Sequence, residues 1–128
     1  MTSLISAGVL VNVEVYYQHE YSNPLLNEYM FAYQITLENY NSYPVQLLRR
    51  NWKIFDSIGI MKEIDGDGVV GVQPIIKPGE SYQYMSGCNL QSDIGKMFGT
   101  YTMINVHSKQ YFQVSIPEFE MFTPAKCN

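Results

Sequence analysis

The chain has 128 residues, the size of one domain, and a net charge of −4 with only 16% charged residues. Nucleic-acid binding needs clustered basic side chains, and the adjacent pair Arg49 and Arg50 would point to opposite faces of a strand, so the sequence argues against it. Eleven tyrosines and the low charge favour strands and a surface that binds partners.

Targeting signals and cysteine usage indicate the compartment. No apolar run is long enough to span a bilayer, and the first residues lack the basic start and apolar core of a signal peptide. Cys88 and Cys127 are the two cysteines, and two scattered cysteines do not form a disulfide framework. We therefore expect a cytoplasmic protein with two free thiols and no membrane contact.

All the predicted elements are strands. Alternating apolar and polar residues predict strands at 9–16, 31–38, 48–54, 60–64, 82–86, 101–106 and 111–116. On the third of these, the inner face is expected to hold Leu48, Arg50, Trp52 and Ile54. Pro117 is expected to end the last strong strand. Residues 1–128 are therefore predicted to form one domain, with a strand-rich core at about 9–119 and a short tail at 120–128.

Short strands separated by turns predict an all-β, immunoglobulin/fibronectin type III-like β-sandwich. Trp52 resembles the core tryptophan of such sandwiches. Tyr101, which follows Gly99 and Thr100, resembles their tyrosine corner, where a phenol hydroxyl ties a strand to a loop.

A glycine-rich segment has the spacing of a dinucleotide-binding fingerprint, with Gly66, Gly68 and Gly71 as G-x-G-x-x-G. That fingerprint requires a helix to begin at the loop, and Pro74 and Pro78 preclude one. The segment is therefore predicted to be a loop between strands. The favoured interpretation is that its glycines supply positive φ angles, and the alternative is a nest of backbone N–H groups around an anion.

No catalytic or metal-binding pattern is found. The alternating acids Glu63, Asp65 and Asp67 could offer a weak, water-rich Mg²⁺ contact, although the spacing of a calcium loop fails. The other candidate ligands show no metal spacing: His19, His107, Cys88 and Cys127. The two histidines are interpreted as surface residues and Cys88 as a small buried thiol. We predict no enzyme activity, no cofactor and no bound metal.

Arg50 is the one charged residue on the predicted inner face. Its guanidinium could clamp a carboxylate or a phosphate. The favoured interpretation is that it pairs with an inward acid or stacks on aromatic rings.

Four ordered stretches resemble the ApaG family, small bacterial proteins of the fibronectin-III-like class. They are residues 31–33, 45–52, 66–74 with 78–80, and 99–103 with 116–119. The resemblance implies a cytoplasmic stand-alone domain. Related domains of eukaryotic F-box proteins and of a polymerase-delta-interacting protein suggest an adaptor role, and bacterial members are linked to cobalt resistance and magnesium efflux. Members usually have His or Tyr where this chain has Asn51, so any ligand contact through that ring would be lost.

The leading hypothesis for function is a non-catalytic, adaptor-like interaction domain. Its exposed strand edges and tyrosine-rich loops would bind a protein partner, and unpaired edges could also close a homodimer. The alternative is a binder of phosphate, pyrophosphate, a nucleotide or a divalent cation at Gly66, Gly68, Gly71 and Arg50. A hydrolytic enzyme would need a nucleophile and a base that the sequence does not pair.

Overall fold

The computed structural model describes residues 1–124, whose strands form two antiparallel sheets packed face to face. In spatial order, the first sheet consists of β1 (Thr2–Ser6), β2 (Val9–Tyr17), β3 (Tyr29–Asn39) and β7 (Ser81–Leu90). The second consists of β5 (Ile60–Asp67), β4 (Val45–Asp56), β8 (Ile94–Asn105) and β9 (Tyr111–Phe122), with β6 (Ile75–Ile76) paired to β4. The predicted all-β sandwich is confirmed.

Two single-turn 3₁₀ helices, His19–Tyr21 and Pro24–Leu26, connect β2 to β3. Within the described residues, no helix is both long and apolar enough to cross a membrane.

The core lies between the sheets, because strand alternation directs every second side chain inward. Val11 on β2 and its cross-strand neighbour Leu37 on β3 are fully buried. Trp52 lies in this core as predicted. Its ring is 5.5 Å from that of Tyr33 and 5.9 Å from that of Phe119, with edge-to-face geometry in both pairs, an arrangement that aromatic quadrupoles favour.

A β-bulge on β4 changes which side chains point inward. Leu47 pairs with Met103 and Arg49 with Thr102, so Leu48 is an extra residue without a partner on β8. Leu47 is therefore the fully buried side chain and Leu48 is half-buried. The prediction that Leu48 shares the inner face with Trp52 is wrong, because an inserted residue shifts the alternation by one position.

The predicted end of the last strand at Pro117 is also wrong, since β9 continues to Phe122. Met97 pairs with Phe119 and Gly99 with Ile116, so two residues of β9, one of them Pro117, lie opposite Phe98. A proline is tolerated at such a bulge, where the missing N–H costs no ladder hydrogen bond.

Strands therefore extend beyond the predicted core of 9–119 at both ends. The N-terminal strand β1 was not predicted because Leu4 and Ile5 are exposed and give no buried alternation. It is held by its pairing with β2. Residues 125–128 of the predicted tail, with Cys127, lie outside the described residues.

Tyr101 does not form a tyrosine corner. Its hydroxyl hydrogen bonds to the hydroxyl of Tyr84, which lies on the other sheet, and both side chains are buried. Burial raises the pKa of both phenols, so both are neutral at physiological pH. The two hydroxyls satisfy each other inside the core, and the bond ties the sheets together.

Candidate functional site

The glycine-rich segment forms a tight turn between β5 and β6, and no helix leaves Gly71, as predicted. Gly68, Val70 and Gly71 have φ angles of 60°, 47° and 76°. Val69 and Val72 exchange backbone hydrogen bonds of 2.8 and 3.0 Å across the turn. The expected positive φ angles are present at two of the three motif glycines, and Gly66 lies on strand β5 instead.

Gly66 matters for a different reason, which is the path of the Arg50 side chain. A Cβ atom at position 66 would stand 2.6 Å from Arg50 Nη1, so any other residue would force the guanidinium to shift from its place across β5. At Gly68 a Cβ atom would stand 2.2 Å from the carbonyl oxygen of Val72. Both spaces are filled by the protein itself.

Within residues 1–124, Arg50 neither pairs with an inward acid nor stacks on an aromatic ring, so the favoured interpretation of it is wrong. Its Nη1 donates to the backbone carbonyls of Asp67, at 3.0 Å, and Gly68, at 2.9 Å. Hydrogen bonds from a charged donor are among the stronger ones. Arg50 therefore fastens the end of β5 to β4.

The backbone N–H groups of the turn are largely engaged. Gly68 donates to the carbonyl of Leu48 at 2.7 Å, and Val69 and Val72 donate to each other. An anion nest needs such groups directed at the ligand. These contacts favour the structural interpretation, and ligand binding at Gly66, Gly68, Gly71 and Arg50 stays a prediction.

The three acids of β5 lie on its outer face beside Asn51. Its side-chain amide donates to Glu63 Oε1 at 3.0 Å and to Asp65 Oδ1 at 2.9 Å. Asp67 pairs with Arg49 at 2.6 Å. Among residues 1–124, no group of three or more His, Cys, Asp or Glu side chains is arranged to hold a metal ion. The polar residue at position 51 thus has a structural task, but its amide is neutral and adds no charge to offset the two carboxylates. The nearby cation is Lys53, which lies opposite Glu63 across the two paired strands.

A cleft of about 250 Å³ opens between β5 and β7, where the two sheets end on the same flank. Its lining includes Ile60, Lys62 and Ile64 of β5, and Cys88 and Leu90 of β7. Ile60 and Ile64 face this cleft yet keep 37% and 43% of their surface exposed. We call this side of the sandwich, formed by β5 and β7, the open flank.

The opposite flank, formed by β1 and β9, is closed. Strand β9 packs against β1 and β2. The backbone N–H of Ser115 on β9 donates to the hydroxyl of Ser6 on β1 at 2.9 Å. One edge of the second sheet is thereby covered and the other is left uncovered.

The predicted thiol and histidine environments agree with the structure. Cys88 is free and buried, and burial raises the pKa of its thiol to about 11. His19 and His107 are exposed on separate turns. The open flank was not predicted. Charged residues on both faces of one strand, such as Lys62 and Glu63, were the available signal, because edge strands often carry them.

The fold and the uncovered flank define the class of this protein as a small two-sheet antiparallel β-sandwich. Residues 19–105 match the sequence model of the ApaG domain. The chain is 42% identical over 124 residues to Protein ApaG of Brucella canis, covering 97% of this chain and 95% of the relative. Protein ApaG of Mesorhizobium japonicum gives the same values. The chain belongs to the ApaG family.

Solved structures agree with this membership. A protein of Bordetella pertussis named as ApaA is 40% identical, with a TM-score of 0.87 and coverage of 91% of this chain and 94% of that one. A second X-ray structure, of a structural-genomics target, is 38% identical with a TM-score of 0.86, and covers 91% and 88%.

Proposed function

We propose that this ApaG-family chain is a non-catalytic interaction domain of the cytoplasm that binds a protein partner at its open flank. The observation that carries the proposal is the exposure of β5. All of its residues except Gly66 are exposed, although Ile60, Met61 and Ile64 are apolar. Exposed apolar residues beside a cleft are typical of a surface that another molecule covers.

The edge position of β5 supports the same role. Within the described residues, β5 is the last strand of its sheet and pairs with β4 alone. An edge strand presents unpaired N–H and C=O groups that a partner's backbone can satisfy.

The environment of Cys88 supports a non-catalytic role. It is the thiol closest to the cleft among the described residues, and a nucleophilic cysteine needs a lowered pKa. Burial raises the pKa of this thiol to about 11, so it is protonated at neutral pH. The group thus acts as a small apolar side chain in the wall of the cleft.

The resemblance links the family to cobalt resistance and magnesium efflux. We propose that the chain takes part in such a process through its protein partner rather than by holding the ion. The exposed His19 and His107 and the buried Cys88 lie on three separate elements, which supports this division.

A quantitative capture experiment tests the proposal. The wild-type chain and the double variant Ile60→Glu, Ile64→Glu are used as baits in a lysate of the source cell. Leu25→Glu is the matched control, because Leu25 is 94% exposed on a turn between β2 and β3. We expect proteins enriched by wild type and by the control to be lost with the double variant. Enrichment that all three baits share, or none at all, would reject the proposal.

A further inference from the structure

We propose that the binding element is the free edge of β5, and that its ligand is an extended protein segment in which apolar and basic residues alternate. The segment would join the five-stranded sheet as an additional strand beside β5. This inference rests on the proposed function and specifies the chemistry of the partner.

The backbone of β5 carries the first step. The N–H of Gly68 donates to Leu48 of β4, and in an antiparallel ladder the direction of these groups alternates. The N–H groups of Met61, Glu63 and Asp65 therefore point to the free edge. An added strand can accept these hydrogen bonds, as in other complexes formed by strand addition.

The free edge has a defined end. Arg50 crosses the strand over Gly66 and donates to the carbonyl of Asp67. That carbonyl is thus already satisfied from the side where a partner would lie. The segment open to a partner is accordingly the part of β5 from Ile60 to Asp65.

The two faces of this segment differ. Ile60, Lys62 and Ile64 line the cleft of about 250 Å³, whereas Glu63 and Asp65 lie on the outer face with Asn51. The side chains of an added strand alternate in the same way. Those on the inner side would lie over the cleft, which favours apolar residues there.

Charge selects the residues on the outer side. Asn51 holds the carboxylates of Glu63 and Asp65 side by side, and its amide is neutral. Lys53 Nζ contacts Asn51 Oδ1 at 3.3 Å. Opposite charges directly across two strands are favourable and like charges are unfavourable. Lysine or arginine on the partner would therefore be preferred beside these two acids.

A second copy of this chain fits the edge less well. Two copies of β5 related by a two-fold axis perpendicular to the sheet would pair only residues of the same face. The central registers then place Glu63 opposite its own copy, Lys62 opposite its own copy, or Glu63 opposite Asp65. Each of these registers opposes like charges, so the edge favours a basic partner over self-association.

Peptide titration followed by ¹⁵N–¹H NMR tests the inference. The probe is an acetylated and amidated peptide of alternating lysine and valine, seven residues long, and its control replaces each lysine by glutamate. We expect the lysine peptide to shift the amide signals of β5 and of Cys88. We expect the glutamate peptide to bind about tenfold more weakly, because two favourable cross-strand pairs are lost.

Protein variants complete the test. Glu63→Lys with Asp65→Lys should reverse the preference between the two peptides, and Glu63→Gln with Asp65→Asn should remove it. Glu118→Lys with Glu120→Lys makes the same charge change on β9, the far edge of the sheet, and should leave the preference intact. A lysine peptide N-methylated on the residues that face β5 should lose binding.

Equal affinities for the two peptides, or shifts confined to strands other than β5, would overturn the inference. Dimers that form with rising concentration in sedimentation, and that slow amide exchange on β5, would also overturn the inference, since they identify a second copy as the occupant. The lysate capture separates the two proposals. If Glu63→Lys with Asp65→Lys still captures the partner while Ile60→Glu with Ile64→Glu does not, this inference is overturned and the proposed function stands. Capture of nothing by wild type would instead reject the proposed function.

Discussion

The two flanks of the sandwich end the same sheet in different ways. On the closed flank, β1 lies against β9, and Ser6 accepts a hydrogen bond from the backbone of Ser115. On the open flank, β5 has no strand beyond it within residues 1–124 and carries Lys62, Glu63 and Asp65. Charged side chains discourage indiscriminate pairing at an edge. The comparison shows that the open edge is accessible and carries charged side chains, whereas the closed edge is covered.

The largest expected effect is on the free energy of unfolding. It is the difference between truncating a core side chain next to the closed flank and truncating an apolar side chain on the open flank. Phe119 on β9 is 3% exposed and packs on Trp52 and Tyr33. We expect Phe119→Ala to lower the free energy of unfolding by about 3–5 kcal/mol. Ile64→Ala should lower the free energy of unfolding by only about 1 kcal/mol, because 43% of the Ile64 surface stays exposed. Urea denaturation measures both, and similar losses would contradict the contrast between the flanks.

The Cys88 thiol in the wall of the open flank should make the free energy of unfolding depend on pH. Its pKa is raised from 9.0 to about 11 by burial, so the folded state favours the protonated form. The stabilisation that the buried, protonated thiol gives to the folded state is complete below pH 9.0. It falls as the pH rises toward 11, by about 1.4 kcal/mol per pH unit, because the thiol of the unfolded chain ionises first. Wild type and Cys88→Ala should therefore converge in free energy of unfolding over this range. A constant difference would show that the cleft wall does not bury the thiol.

The crossing of Arg50 over Gly66 can be broken in a double-mutant cycle. Gly66→Ala should cost about 1–3 kcal/mol, because the new methyl group meets the guanidinium. In an Arg50→Ala background the same substitution should cost less than about 1 kcal/mol, since the clash is gone. Additive losses would mean that Gly66 is needed for some reason other than Arg50.

The smallest effect concerns the ion pair at the end of β5. Arg49 and Asp67 are both largely exposed, so Arg49→Gln should change the free energy of unfolding by less than about 1 kcal/mol. A larger loss would show that this pair, and not Arg50, fastens the strand. Thermal or urea unfolding distinguishes the two.

Local patterns in the sequence predicted the layers of the fold. Alternation identified seven of the nine strands in the described residues, all but β1 and β6. Trp52 was correctly placed in the core, and two prolines correctly excluded a helix after Gly71. Bulges could not be foreseen, because an inserted residue such as Leu48 is visible only once two strands are paired.

The candidate site was less predictable because it depends on contacts between distant residues. The bond between Tyr84 and Tyr101 joins two sheets, and the bonds of Arg50 reach across β5 to a turn. Strand order across the whole sheet decides that β5 is an edge. Its charged residues were visible in the sequence, but their position on an edge was not.

Amide hydrogen–deuterium exchange, with and without the lysine–valine peptide, tests the difference between the flanks most directly. In the free protein, we expect the Ser115 amide to be protected and the amides of Met61, Glu63 and Asp65 to exchange rapidly. The peptide should slow exchange at those three β5 amides and leave β9 unchanged. Protection of the three amides in the free protein, or protection that appears on β9 instead, would contradict the account.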